Sequence, residues 1–312
     1  MNILQVENLT KTFGTFNAVD SISFNVKENT VMGFLGPNGA GKTTTMRMLV
    51  GLSNKTSGNI KIGGNEVVFG ESSKTNNIVG YLPEQPAFYT WMTAYEYLSF
   101  INDIFQLNNE TKTKRINEVL DIVNLSAAKN KRIATYSNGM KQRLGIAQAI
   151  INKPKLLIMD EPVSALDPLG RHEVLNLISK LKSETSILFS THILSDVDKV
   201  CDEVTIINKG KVLQSSSLQK LKDSSSNQML RVSVEEIDDD FIYELSKQKW
   251  VSRFETNASE LTIFLQPDTK ILKENIPLKF FLLQNKKVSK YIIDEPNIED
   301  LFLDLINNAD KV

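Results

Sequence analysis

The segment Gly36-Pro37-Asn38-Gly39-Ala40-Gly41-Lys42-Thr43-Thr44 constrains this chain more than any other stretch, because it fits the pattern G-x-x-x-x-G-K-[ST]. The residue types follow from what such a loop must do. Glycines let the backbone curl until successive N–H groups point inward at phosphate oxygens, and the helix that follows adds its positive N-terminal end. Lys42 is set to reach the β- and γ-phosphates of a nucleotide, and Thr43 to offer its hydroxyl to Mg²⁺. The context agrees: the apolar run Val31-Met32-Gly33-Phe34-Leu35 predicts a buried strand before the loop, and Thr43 to Leu49 predicts a helix after it.

A second element fits the first. Leu156-Leu157-Ile158-Met159-Asp160-Glu161-Pro162 reads as a buried strand ending in two adjacent carboxylates. Neighbouring residues on a strand point in different directions, so the two acids cannot share one task. Asp160 is expected to hold Mg²⁺ through water, and Glu161 to polarise an attacking water.

Further short apolar runs, such as Ser186 to Ser190, alternate with helical patterns, which predicts a mostly parallel sheet flanked by helices. Between about residues 90 and 150 the pattern predicts a helical insert. There Thr93-Ala94-Tyr95-Glu96 is a capping-box pattern, with Tyr95, Leu98, Ile101 and Phe105 following at helical spacing. Ile116, Val119, Leu120 and Val123 form a second apolar stripe. Lys209-Gly210-Lys211 predicts a hairpin turn, and Asp223-Ser224-Ser225-Ser226-Asn227 a polar joint. The expected domains are therefore 1–222 and 223–312. The second reads as a small α+β unit with strands over Met229 to Glu235, Leu261 to Leu265 and Tyr291 to Ile293. Its expected helices cover Phe241 to Lys247 and a last one capped by Asn297, carrying Ile298, Leu301, Phe302, Leu305 and Ile306.

Composition narrows the function classes. A net charge of −1 provides no basic field for nucleic acid or acidic lipid. The N-terminal residues have no basic segment followed by an apolar run, and no apolar stretch approaches the roughly 20 residues that span a bilayer. The single cysteine, Cys201, excludes an internal disulfide and reads as a small buried hydrophobe. His172 and His192 are the two histidines. They form no cluster in the sequence, so no zinc site is expected, and His172 reads as a solvated surface residue.

Many nucleotide hydrolases carry a phosphate loop and an acidic strand end; Tyr136-Ser137-Asn138-Gly139-Met140-Lys141-Gln142-Arg143, just ahead of that strand, discriminates among them. With it the chain resembles the ATP-binding subunits of ABC transporters, whose signature places a serine and a glycine at a helix N-terminus. Matching elements follow in the family's order: Gln85 in Gly80-Tyr81-Leu82-Pro83-Glu84-Gln85, Ser164-Ala165-Leu166-Asp167 after the acids, and His192 in Ser190-Thr191-His192. Phe13, in Lys11-Thr12-Phe13-Gly14, stands where the family keeps an aromatic residue. The match covers roughly the first 220 residues. The resemblance implies an α/β P-loop fold of ABC type, with a mixed sheet, the helical insert and the small C-terminal α+β domain.

It also implies roles. Gly36 through Thr44 would bind the phosphates, and Phe13 would stack on adenine. Ser137 and Gly139 would face the γ-phosphate held by a second ATP-binding subunit, either another copy or a sister chain, and Asp167 would help join the two sites. Gln85 would contact Mg²⁺ or the attacking water and sense a membrane partner, and His192 would touch the γ-phosphate. The cofactors implied are ATP and Mg²⁺. The partners implied are transmembrane permease subunits, with no nucleic acid, on the cytoplasmic face of a bacterial membrane. Asn138 and Met140 depart from the commoner glycine and glutamine; Asn tolerates positive φ, so the turn is expected to survive.

The Tyr-Ser-x-Gly-Met form resembles the branch of bacitracin-resistance, sodium-export and drug-export ATPases. That branch carries a C-terminal extension, matched here by Glu295-Pro296-Asn297-Ile298-Glu299-Asp300-Leu301-Phe302-Leu303 and read as a packing or dimer-bracing module. Export is therefore the expected direction. The aromatic stretch Pro86-Ala87-Phe88-Tyr89-Thr90-Trp91-Met92 is the expected coupling surface. The competing readings are a soluble ABC ATPase acting on the ribosome or nucleic acid, and a sensor component for peptide antibiotics. The first is disfavoured by the single ATPase unit, by the absence of a long coiled coil in the sequence, and by the near-neutral charge.

Overall fold

The computed structural model describes residues 1–70, 75, 77–105, 109–164, 166–224, 229–235, 237–257, 260–266, 270–284, 286–294 and 302. The chain divides into two compact units, Met1–Leu218 and Gln219–Val312.

The first unit opens with a hairpin of β1 (Asn2–Phe13) and β2 (Phe16–Lys27), then β3 (Val31–Leu35), α1 (Lys42–Leu49), β4 (Ser57–Ile62), β5 (Asn65–Glu66) and β6 (Val79–Leu82). Next come α2 (Ala94–Ile104), α3 (Asn109–Ile122), α4 (Asn138–Ile150), β7 (Leu156–Met159), α5 (Pro168–Leu181) and β8 (Ser186–Thr191). Then follow α6 (Leu194–Val200), β9 (Glu203–Asn208) and β10 (Lys211–Ser217), and α7 (Leu218–Ser224) opens the second unit. Six strands form one sheet in the order β10-β9-β3-β8-β7-β6. Five of them run parallel, and β10 turns back against β9 through Lys209 and Gly210, both at positive φ. Every residue of β3, β7, β8 and β9 is buried, which is why these segments read as continuous apolar runs.

A second, antiparallel sheet, β2-β1-β4-β5, was not predicted. Its signal is broken in the sequence. Leu4 and Val6 point inward, but the register slips between Val6 and Leu9, with Asn8 at φ 48°, so the next inward residue is Leu9 rather than residue 8. A bulge of this kind interrupts the period-2 alternation on which a strand assignment depends.

The helical insert lies between β6 and β7, as the sequence predicts. The Thr93 side chain accepts from the Glu96 N–H at 3.2 Å, and a Glu96 carboxylate oxygen accepts from the Thr93 N–H at 2.8 Å, completing the capping box. This bonding holds the Glu96 carboxyl below its usual range. Ile116, Val119, Leu120 and Val123 are fully buried. One stripe is corrected: α2 buries Ala94, Tyr97, Leu98 and Ile101, while Tyr95 and Phe105 are only half-buried.

In the second unit β11 (Met229–Val234), α8 (Asp239–Ser246), β12 (Val251–Asn257), β13 (Glu260–Leu265), α9 (Lys270–Lys273), α10 (Ile276–Leu283) and β14 (Val288–Asp294) follow in turn. The sheet order β12-β13-β11-β14, with all pairs antiparallel, is the split βαββαβ arrangement. Alternate residues Leu230, Val232 and Val234 pack with Phe241, Trp250, Ile263 and Phe281 into its core. β12 and α10 were not predicted. β12 is a mostly exposed edge strand rich in polar residues, and α10 is an apolar run without helical periodicity. The expected joint over Asp223 to Asn227 falls partly, and the expected helix after Asn297 almost entirely, outside the described residues. Phe302, from that segment, is buried.

Candidate functional site

The phosphate loop runs from the end of β3 into α1, over the C-terminal edge of the parallel sheet, where open α/β folds gather their ligand sites. Two glycines are sterically required. A Cβ on Gly36 would collide with the Ile207 carbonyl oxygen. One on Gly41, at φ +103°, would lie 2.5 Å from the Ala18 carbonyl oxygen. Gly41 is also the N-cap of α1 and offers no capping side chain, so no side chain of its own takes the first N–H groups of the helix.

Lys42 is 6% exposed, and its ammonium donates to the carbonyls of Gly36 at 2.8 Å and Pro37 at 3.2 Å. It also pairs with Glu161 Oε1 at 3.1 Å. Glu161 is itself buried, with its carboxylate 3.0 Å from His192 Nδ1. The cation and the anion thus meet largely out of water, where their attraction is stronger than in bulk solvent, and the exposed His192 imidazole caps the pair from the solvent side. Glu161 holds φ 47°, a left-handed backbone for a residue with a long side chain. Such strain costs on the order of 1–3 kcal/mol and persists only where surrounding bonds fix it. Its N–H donates to Ser190 Oγ at 2.9 Å, and Ser190 Oγ donates to Asp160 Oδ1 at 2.6 Å. Burial, with Asp160 nearby, pushes the Tyr81 hydroxyl up to about 12, so it stays protonated beside the acids.

Lys42, Glu161 and His192 border an open cavity of about 430 Å³. Of the sequence-predicted residues, Phe13, Asn38, Gly39, Gly41, Lys42, Thr43, Thr44, Glu161 and His192 line it. Ala40 is buried beneath the loop. Asp160 is buried one residue from Glu161, and Gln85 is exposed; neither is among the lining residues, whereas Glu84 is. Phe16, 65% exposed, lines the cavity together with Phe13 and was not singled out from the sequence. A readable signal existed, since Phe13-Gly14-Thr15-Phe16 is a tight turn with an aromatic at each end. The side-chain oxygens of Thr43 and Asp160 are the hard donors that suit Mg²⁺ rather than a soft metal. Among the described residues no group of three or more His, Cys, Asp or Glu could hold a metal by itself.

Ser137, Gly139 and Asp167 are gathered elsewhere. With Asn138, Arg143 and Gly170 they line a second open cavity of about 460 Å³. Ser137 caps α4 by accepting from the Met140 N–H at 3.2 Å, and Asp167 caps α5 by accepting from the Gly170 N–H at 3.0 Å. The expectation about Asn138 is corrected: it is the first residue of α4, with no positive φ, so the departure from glycine asks nothing unusual of the backbone. Ala165 lies outside the described residues. His172 is exposed and meets Asn176 at 3.0 Å; its neighbour Arg171 instead pairs with the fully buried Asp196. Cys201 is a buried free thiol whose pKa burial pushes well above the usual range, as a small hydrophobe requires.

Comparison with known proteins identifies the family. Residues 19–164 match the family described as ABC transporter. An uncharacterised ABC transporter ATP-binding protein of Bacillus subtilis, YxlF, is 40% identical over 305 residues, covering 98% of this chain and 100% of the relative. The bacitracin transport ATP-binding protein BcrA of Bacillus licheniformis is 43% identical over 222 residues, 70% of this chain and 71% of that protein. A solved structure of an ATP-binding subunit of an ABC transporter shares the fold at a TM-score of 0.64 and 30% identity, covering 71% of this chain and 92% of its own.

Proposed function

This chain belongs to the family of ABC transporter ATP-binding proteins, and from that membership we propose that it hydrolyses ATP to drive export through separate membrane-spanning subunits. The observation that carries the reading is the buried Lys42–Glu161 pair at the phosphate loop, with the exposed His192 set against the Glu161 carboxylate. Lys42 neutralises the terminal phosphates. Glu161 accepts a proton from the attacking water, and His192 orients Glu161 and donates toward the γ-phosphate. Bound Mg²⁺ would be held by Thr43 and Asp160 and would supply charge neutralisation on the phosphates. Phe13 and Phe16 provide exposed ring faces for adenine.

Two such subunits, identical or sister chains, clamp ATP between them. Ser137 and Gly139 at the start of α4 carry a positive helix end, and they lie in a different cavity from the phosphate loop of the same chain. A second subunit brings the two halves together, with Asp167 at the joint. Among the described residues no helix is long and apolar enough to cross a membrane, and in this reading the spanning partner is a separate polypeptide met at the inner face. Export is favoured by the likeness to a bacitracin transport protein.

The coupling surface is the segment after Gln85. Phe88 packs edge-on against the buried Tyr97, at 5.2 Å between ring centres. Tyr89, Trp91 and Phe100 instead form an exposed cluster, with Tyr89 5.8 Å from Phe100, suited to a short partner helix. In reconstituted vesicles, Gln85→Ala is expected to lower substrate moved per ATP hydrolysed at least about fivefold, the scale of a modest coupling free energy. An unchanged ratio removes Gln85 from coupling.

The reading as a whole is tested by affinity capture of tagged Glu161→Gln protein from detergent-solubilised membranes with ATP and Mg²⁺. Recovery of a multi-span membrane protein is the expected result. Recovery of ribosomes or nucleic acid alone, with the protein absent from membranes, overturns the transport reading.

A further inference from the structure

We propose that Ser190 is a positioning residue for ATP hydrolysis, one hydroxyl that fixes both the Asp160 carboxylate and the backbone of Glu161; the proposal rests on the phosphate-loop cavity being the hydrolytic site. Ser190 lies on β8 with no exposed surface, level with Phe34 of β3 and one step beyond the pairing of Met159 with Phe189. From there its side chain meets the end of β7, where the two acids stand.

A serine hydroxyl has one proton to give and lone pairs to accept with. Here both capacities are used on the same dipeptide. The proton goes to Asp160 Oδ1 at 2.6 Å, the short distance of a hydroxyl bonded to a carboxylate. A lone pair takes the Glu161 N–H at 2.9 Å. That second bond matters because Glu161 is left-handed at φ 47° and relaxes unless something holds it. On the far side of the residue, the Glu161 carbonyl accepts from the Ser164 N–H at 3.3 Å and from its hydroxyl at 3.2 Å. The strained residue is thus held at both ends, and its carboxylate is aimed at Lys42 and His192.

Removing the hydroxyl leaves a buried N–H unpaired and frees the Asp160 carboxylate to rotate. One change then disturbs the carboxylate assigned to Mg²⁺ and the one assigned to water. Ser190 is not among the cavity-lining residues, so its effect passes through those acids.

The test compares Ser190→Ala, Ser190→Val and Ser190→Thr. Val and Thr have the same shape and differ by the hydroxyl, and Ala removes the hydroxyl without adding bulk. Two readouts are needed: kcat and KM for ATP, and calorimetric affinity for a non-hydrolysable ATP analogue with Mg²⁺ and with EDTA. Ala and Val are expected to lower kcat about 10- to 100-fold, the range for outer partners of metal-binding groups, with a smaller change in KM. They also shrink the Mg²⁺-dependent gain in analogue affinity by about tenfold while leaving affinity in EDTA unchanged. Thr restores both toward wild type. The proposal is overturned if Ala keeps wild-type kcat and Mg²⁺-dependent gain, or loses activity only in step with loss of folded protein. Failure of the wild-type chain to bind the analogue strikes the hydrolytic-site reading instead, so the two failures are distinguishable.

Discussion

Glu161→Gln is expected to reduce ATP turnover by about 10²- to 10⁴-fold while ATP still binds. The amide keeps the size of the carboxylate and one oxygen for Lys42, but it cannot take a proton from water. It also removes a negative charge from the space where a γ-phosphate must settle, so affinity for ATP is expected to hold or rise. The charge lost was part of a buried pair with Lys42, yet Lys42 keeps its bonds to the Gly36 and Pro37 carbonyls. The fold therefore survives, and added ATP supplies the missing anion. Phosphate release and gel filtration with ATP check both halves. Turnover within about threefold of wild type would remove Glu161 from the chemistry, because general-base catalysis supplies far more than that.

Lys42→Met is expected to weaken binding of a non-hydrolysable ATP analogue by about 10- to 100-fold, the value of a charge-assisted hydrogen bond to a phosphate. Methionine preserves most of the buried stem and removes the charge. The substitution also leaves Glu161, 6% exposed, with His192 but no cation at 3.1 Å. Breaking a buried pair from one side costs about 3–5 kcal/mol where no other group compensates. Combining Lys42→Met with Glu161→Gln should return part of that stability, since the stranded carboxylate is then neutral. Calorimetry measures the affinity and thermal unfolding of the four proteins measures the coupling. Affinity within threefold of wild type would mean that the phosphates lie elsewhere.

The parallel sheet and its loop were readable because burial on both faces leaves continuous apolar runs: Val31 to Leu35, Leu156 to Met159 and Ser186 to Ser190 each became a strand. The antiparallel sheet was not readable, because the bulge at Asn8 shifts the inward residues from Leu4 and Val6 to Leu9. In the second unit β12 escaped for the opposite reason: an edge strand faces solvent and needs few apolar residues. The stripe on α2 was misread by choosing Tyr95 over Tyr97: both are aromatic, but two positions apart they lie about 200° apart around the helix, so only one of them joins the buried face.

The sequence by itself determined the chemical vocabulary. Glycines at fixed spacing, one lysine, a hydroxyl, two acids and a histidine point to phosphate chemistry, because together they supply the donors and charges that such a ligand needs. The order of those motifs identified the family. What the sequence could not carry is direction. Tertiary structure decided that Glu161 is left-handed and that Ser190 ties it to Asp160. It also decided that Ser137 and Asp167 share one cavity while Lys42 and His192 share another. These are contacts between residues tens of positions apart, set by strand order and helix packing, and local pattern holds no record of them.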